Sequence, residues 1–187
     1  MQGAFAEHLT VLANLGVETL EIRNKVDVER QYDGLILPGG ESTAQAKLLH
    51  DLDIFTLLQE RLRLGLPVFG TCAGMILLAK KLENDPKKHF ATMDVAVRRN
   101  AFGRQSASFI AREKFAEYPE ANMPFIRAPY ITSWGENVKI LAKVNGLAVA
   151  AQEKNMLITA FHPEVTTDTT VHSYFLQMIN KVNDKNI

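Results

Sequence analysis

Two short, almost wholly apolar runs, "DGLILPGG" (33–40) and "LPVFG" (66–70), are each followed by residues at helical spacing, and this alternation constrains the fold more than any other feature of the chain. A strand that is apolar on both sides has to be covered on both faces. Strands of this kind alternating with helices therefore point to a parallel, doubly wound α/β sheet with helices on both faces. After the first run, Leu48, Leu52, Phe55, Leu58 and Leu62 keep a single helical period, which completes a strand, tight loop and helix. After the second, residues 74–82 are apolar almost all round, as expected of a buried helix. Upstream, Phe5, Leu9, Leu12 and Leu15 predict a helix within residues 4–15, Gly16 supplies its stop, and "VETLEIR" (17–23) reads as a strand.

From about residue 91 the rhythm changes. The segments "ATMDVAV", "SASFIA", "PFIRAPYI", "VKILAKV", "LAVAAQ" and "MLITAF" are separated only by turns, which predicts an added antiparallel portion. Val171, Tyr174, Phe175, Met178, Ile179 and Val182 then form one apolar stripe, so a closing helix is expected from about Asp168. There is no internal repeat or linker. The 187 residues are expected to form one domain, 1–187, long enough to bury roughly 70% of the surface the unfolded chain exposes.

Lys plus Arg and Asp plus Glu are 21 each, so no net field draws the chain towards nucleic acid or an anionic membrane. One cysteine cannot close an internal disulfide, no basic and apolar leader follows Met1, and no apolar run approaches the roughly 20 residues of a membrane helix. A cytoplasmic protein with small-molecule or protein partners is expected, with no nucleic acid, membrane, metal or cofactor involved.

The single cysteine lies in Gly70-Thr71-Cys72-Ala73-Gly74. G-x-C-x-G between a strand and a helix is the cysteine form of a nucleophile elbow, in which the turn is so tight that only small neighbours fit around an exposed reactive side chain. The positive end of the following helix favours thiolate. A lone cysteine in an apolar stretch is otherwise usually inert and buried, but the flanking glycines and the strand-to-helix context favour the nucleophile. Such a nucleophile needs a base and a group to orient it, and "ITAFHPEV" supplies His162 at the end of an apolar strand and Glu164 two residues on. Extended backbone would place both side chains on one face; a capped strand end beside a solvated glutamate is the plainer alternative. His8, His50, His89 and His172 have no comparable setting and read as surface residues. In "LPGGES" (37–42) the glycines let backbone N–H groups face a ligand oxygen and Ser42 is placed to cap the next helix, so the amides of Gly40 and Ala73 would pair as an oxyanion hole. A simple turn explains the same residues. "RRNAFGRQ" (98–105) offers an arginine to a substrate carboxylate, or is a solvated loop.

Together and in this order, "PGGES", "GTCAG", "RNAFGRQ", "FIRAP" and "FHPE" resemble the class I glutamine amidotransferases over essentially the whole chain, and more narrowly the glutaminase subunits of pyridoxal 5'-phosphate synthase. The resemblance implies that Cys72 attacks the side-chain amide of L-glutamine, that His162 passes a proton to the leaving ammonia, and that Glu164 holds the imidazole while a glutamyl thioester forms and is hydrolysed. It also implies that Gly40, Glu41, Ser42, Arg99, Ile126 and Arg127 line the glutamine site, that a barrel-shaped synthase subunit receives the ammonia in a hetero-oligomer, and that its docking completes the oxyanion hole. A gamma-glutamyl peptidase, an amidotransferase serving another synthase, and a non-catalytic docking subunit are the alternatives. Members of the family begin with a strand ending in a segment like Leu-Gln-Gly, and "MQGAF" stands where that strand ends. The first strand of such a sheet is central, so two neighbouring strands are expected to lack a partner.

Overall fold

The computed structural model describes residues 3–83, 85–99 and 108–184. Helix α1 (Phe5–Asn14) leads through the short α2 (Lys25–Glu29) to β1 (Leu35–Leu37), α3 (Ser42–Asp51), α4 (Phe55–Arg63), β2 (Val68–Thr71) and α5 (Ala73–Leu78). Eight strands follow: β3 (Ala79–Leu82), β4 (Met93–Arg98), β5 (Ser108–Phe115), β6 (Tyr118–Ile126), β7 (Tyr130–Trp134), β8 (Lys139–Val144), β9 (Leu147–Glu153) and β10 (Met156–Thr159). A 3-10 turn at Pro163–Val165 and helix α6 (Thr170–Asn183) close the chain.

The main sheet runs β1-β2-β10-β9-β7-β4-β3, with β8 on β9, and β5 and β6 form a separate two-stranded sheet. Pairing is parallel for β1/β2, β2/β10 and β3/β4 and antiparallel elsewhere, so the expected α/β sheet with an added antiparallel portion is what the chain forms. Register decides where the chemistry lies. Leu37 pairs with Gly70 and Thr71 with Thr159, so the carboxyl ends of β1, β2 and β10 are level, and the segments that follow all three leave the sheet on one side. Ligand sites of open α/β sheets collect at that end.

Strand β2 is buried throughout and its residues alternate between two helical layers. Phe69 packs against Phe175 of α6, with ring centroids 5.6 Å apart, and edge-on to His8 of α1 at 5.9 Å. Gly70 faces the other layer, where a Cβ would stand 2.7 Å from the backbone carbon of Gly74 in α5. A Cβ on Gly74 would in turn stand 2.1 Å from the carbonyl oxygen of Leu37. The two elbow glycines thus let α5 lie directly on β1 and β2.

Three local expectations are corrected. The stripe from Leu48 to Leu62 is two helices, because the first ends at Asp51 and Asp53 turns through a left-handed conformation (φ +54°) before α4 begins. The apolar run 74–82 is helical only to Leu78; Ala79–Leu82 is strand β3 on β4, since a short apolar run carries no period that separates buried helix from buried strand. Residues 17–23 form no strand. Backbone pairing needs a neighbour, and across from this segment lies a cleft of about 370 Å³ lined by Leu20, Ile22, Leu35, Ile36 and Ile179, with β1 as the last strand of the sheet on that side.

Candidate active site

Cys72 occupies the junction of β2 and α5 at φ +46° and ψ −94°, a backbone conformation that an L-residue adopts only where its surroundings impose it. They do so from both sides. The Cys72 N–H donates to the Thr159 carbonyl at 2.8 Å, tying the elbow to the end of β10, and the Cys72 carbonyl accepts from Ile76 in the first turn of α5. The residue is buried, with 8% exposure.

His162 follows β10 and its N–H donates to the Pro124 carbonyl of β6 at 2.8 Å. Its Nδ1 is 2.7 Å from Glu164 Oε1, and Glu164 is 3% exposed. The pair forms through the turn Pro163–Val165, with His162 at φ −110° and ψ 78°, and not through the extended backbone expected of it. Burial opposes a charged imidazole here, yet hydrogen bonds to Cys72 and Glu164 and the negative charge of both raise His162 to about 10. The buried carboxylate of Glu164 thus favours the doubly protonated ring.

The Pro-Gly-Gly loop closes the site from β1. Gly39 lies against the His162 ring, and a Cβ there would stand 2.2 Å from Cε1. Gly40, with φ +152°, is exposed, and Ala73 opens α5, where its N–H has no partner within the helix. Ser42 does not cap α3: the N-cap is Glu41, without a side-chain cap, and Ser42 is the first helical residue. The buried Ser42 Oγ instead accepts from Arg99 Nη2 at 2.7 Å. The guanidinium also reaches Thr43 Oγ1 at 3.3 Å and, through Nη1, Asp85 Oδ2 at 3.3 Å. Arg99 is thus held beside the start of α3. The rest of the "RNAFGRQ" segment lies outside the described residues. Glu41 is exposed, as are Ile126 and Arg127, and Arg127 takes φ +45° at the end of the strand that holds His162 through Pro124. The sequence reading names neither Thr159, which lies within the motif "ITAFHPEV", nor Asp85, which lies in no motif.

His8 and His172 are not surface residues. They are 3% and 0% exposed, and His8 Nδ1 is 2.9 Å from His172 Nε2. Burial lowers His8 well below its ordinary value, helped by the nearby His172 and His162, and burial lowers His172 to about 4 although Asp168 opposes it. His50 is exposed and His89 half-buried, as the sequence suggested more nearly. The spacing of Val11 and Leu12 from position 8 is the signal that could have placed His8 inward.

Among the described residues no helix is long and apolar enough to cross a membrane. Residues 1–181 match the SNO glutamine amidotransferase family. The chain is 54% identical over 180 residues to the pyridoxal 5'-phosphate synthase subunit PdxT of Desulfitobacterium hafniense, covering 96% of this chain and 90% of that one. It is 54% identical over 183 residues to the PdxT subunit of Methanocorpusculum labreanum, covering 98% and 96%. A crystal structure described as a glutamine amidotransferase superposes with a TM-score of 0.91 at 39% identity, covering 96% of this chain and 95% of that one. A putative GMP synthase subunit from Thermoplasma acidophilum, at a TM-score of 0.65 and 18% identity over 97% and 91%, shares the fold. With a cysteine elbow, a buried His–Glu pair and a match along nearly its whole length, the chain belongs to the SNO glutamine amidotransferase family.

Proposed function

We propose that this chain is the cytoplasmic glutaminase subunit of a pyridoxal 5'-phosphate synthase, hydrolysing L-glutamine and handing ammonia to a barrel-shaped synthase subunit. The observation that carries the reading is Cys72, held at φ +46° on the elbow beside an imidazole that Glu164 orients at 2.7 Å. Cys72 Sγ adds to the side-chain carbonyl carbon of glutamine. The carbonyl oxygen takes the negative charge and receives the N–H groups of Gly40 and Ala73. The imidazolium of His162 gives its proton to the amide nitrogen, the C–N bond breaks, and ammonia leaves a glutamyl thioester. His162, now neutral, takes a proton from water as the water attacks the thioester; the C–S bond then breaks with sulfur leaving as thiolate beside the imidazolium, so glutamate departs and the pair is restored.

Arg99, fixed by Ser42, Thr43 and Asp85, is the cation for the substrate α-carboxylate, and Glu41, Ile126 and Arg127 form the rest of the mouth. The relatives named PdxT support the choice of synthase over a peptidase or another amidotransferase. The test is glutamate release by the purified chain with increasing synthase. Turnover that rises with synthase and vanishes in Cys72→Ala supports the reading; full turnover in Cys72→Ala, or turnover indifferent to synthase, overturns the nucleophile or the partner respectively.

A further inference from the structure

The Cys72–His162–Glu164 row does not end at the carboxylate. Glu164 Oε1 is used by His162, but Oε2, on a side chain with no exposure, has no hydrogen-bond partner. A buried carboxylate oxygen left this way is costly, and a donor that approaches it becomes part of how the carboxylate is held. His8 Nε2 on α1 lies 3.6 Å from this oxygen and 3.4 Å from Thr71 Oγ1. Behind His8, its Nδ1 meets His172 Nε2 of α6 at 2.9 Å. Both rings stand edge-on to Phe69, at 5.9 and 5.7 Å, so packing sets the direction in which their nitrogens point.

One arrangement of hydrogens gives Glu164 Oε2 a donor, and in it Thr71 Oγ1 is a second acceptor for the same N–H. A neutral imidazole has one N–H and one bare nitrogen. If Nδ1 of His8 carried the hydrogen, the bare Nε2 would face the lone pairs of Glu164. With the hydrogen on Nε2, His8 donates towards Glu164 and its Nδ1 accepts from His172 Nε2–H. His172 Nδ1 is then the bare nitrogen, and it is buried with no partner, as this order requires. Burial keeps both rings neutral.

We propose that His8, oriented by His172, is a positioning residue of the glutaminase site: its Nε2–H engages Glu164 Oε2 and so fixes the carboxylate that aligns His162. At 3.6 Å the two atoms are just beyond hydrogen-bond length, and contacts of this kind tighten as the working complex forms. Residues from α1, β2, the turn after β10 and α6 thereby act on one carboxylate. The proposal rests on the Cys72–His162–Glu164 reading above.

The experiment measures kcat and KM for glutamine in the complex with synthase, for His8→Leu, His8→Gln, His8→Asn, Glu164→Gln, Cys72→Ala and the double variant His8→Leu/Glu164→Gln. His8→Leu is expected to lower kcat about tenfold with KM within about twofold, because alignment and not binding is lost. The amide nitrogen of glutamine reaches the Nε2 position and that of asparagine only the Nδ1 position, so His8→Gln should recover most of kcat and His8→Asn should not. In the Glu164→Gln background His8→Leu should cost less than about twofold, since its effect runs through Glu164. Unchanged kcat in His8→Leu, or the same tenfold loss with and without Glu164, overturns the proposal. If His8→Leu does not fold, equal activity in the two polar variants overturns it. An active Cys72→Ala, or a Glu164→Gln as active as the wild-type chain, would instead strike the triad reading itself, whatever the His8 variants do.

Discussion

The imidazole of His162 lies so close to Gly39 that a methyl group at position 39 would stand 2.2 Å from Cε1 and 2.7 Å from Nδ1. The loop after β1 and the end of β10 are 123 residues apart in sequence (162 − 39), and the missing side chain is what lets them share the site. Gly39→Ala is therefore expected to displace the ring from both Glu164 and Cys72. We expect kcat to fall on the order of 100-fold, because a small misplacement of a catalytic group is enough for that, while the thermal midpoint changes little. A variant with unaltered turnover would show that the ring moves freely.

The three positions proposed as catalytic should give a graded series. Cys72→Ala removes the nucleophile and His162→Asn the base, whereas Glu164→Gln leaves a base that is merely less well held. Expected turnover is background for the first two and reduced on the order of 100-fold for Glu164→Gln. Single-turnover glutamate release distinguishes them, and equal losses at all three positions would reduce the His–Glu pair to a structural contact.

Stability should fall in acid because His172 is buried neutral. Its folded value is lowered from 6.5 to about 4 by burial. Below 6.5 the unfolded chain binds a proton that the folded chain refuses, so the contribution is complete above pH 6.5 and is lost as pH falls through about 4. At about 1.4 kcal/mol per pH unit the interval amounts to roughly 3 kcal/mol. Urea titrations at pH 7 and pH 4.5 should show a smaller acid loss for His172→Phe than for the wild-type chain; parallel losses would assign the acid sensitivity elsewhere.

Arg99→Lys should raise KM for glutamine about tenfold and leave kcat within about threefold, since one ammonium cannot replace a planar fork spread over Ser42, Thr43 and Asp85. Steady-state kinetics with saturating synthase read both constants. A selective fall in kcat would move Arg99 from binding to chemistry.

The cleft beside β1 predicts a structural effect. An apolar strand of about six residues joined ahead of Met1 has both the edge of β1 and residues 17–23 to pair with, and should raise the melting temperature by several degrees. Identical melting curves for the two chains would show that the edge needs no partner.

Gly70, Cys72 and Gly74 are legible in the sequence because an elbow is a local device: a strand that turns directly into a helix admits only small residues on either side of the turn, wherever the rest of the chain lies. His162 and Glu164 are legible for the same reason, two residues apart on one turn. Residues 17–23 carry the apolar pattern of a strand, but a pattern is realised only when a neighbouring backbone accepts the hydrogen bonds, and here the cleft lies between them and β1. The phase of α1 was likewise ambiguous. Phe5, Leu9 and Leu12 make one stripe and His8, Val11 and Leu12 another, and only packing against Phe69 and α6 turns His8 inward, leaving Phe5 38% exposed. The meeting of His8 with His172 and of Arg99 with Ser42 joins residues 164 and 57 positions apart. No local preference encodes such contacts, because they arise when the sheet brings its carboxyl ends level and the helices of both layers close over them.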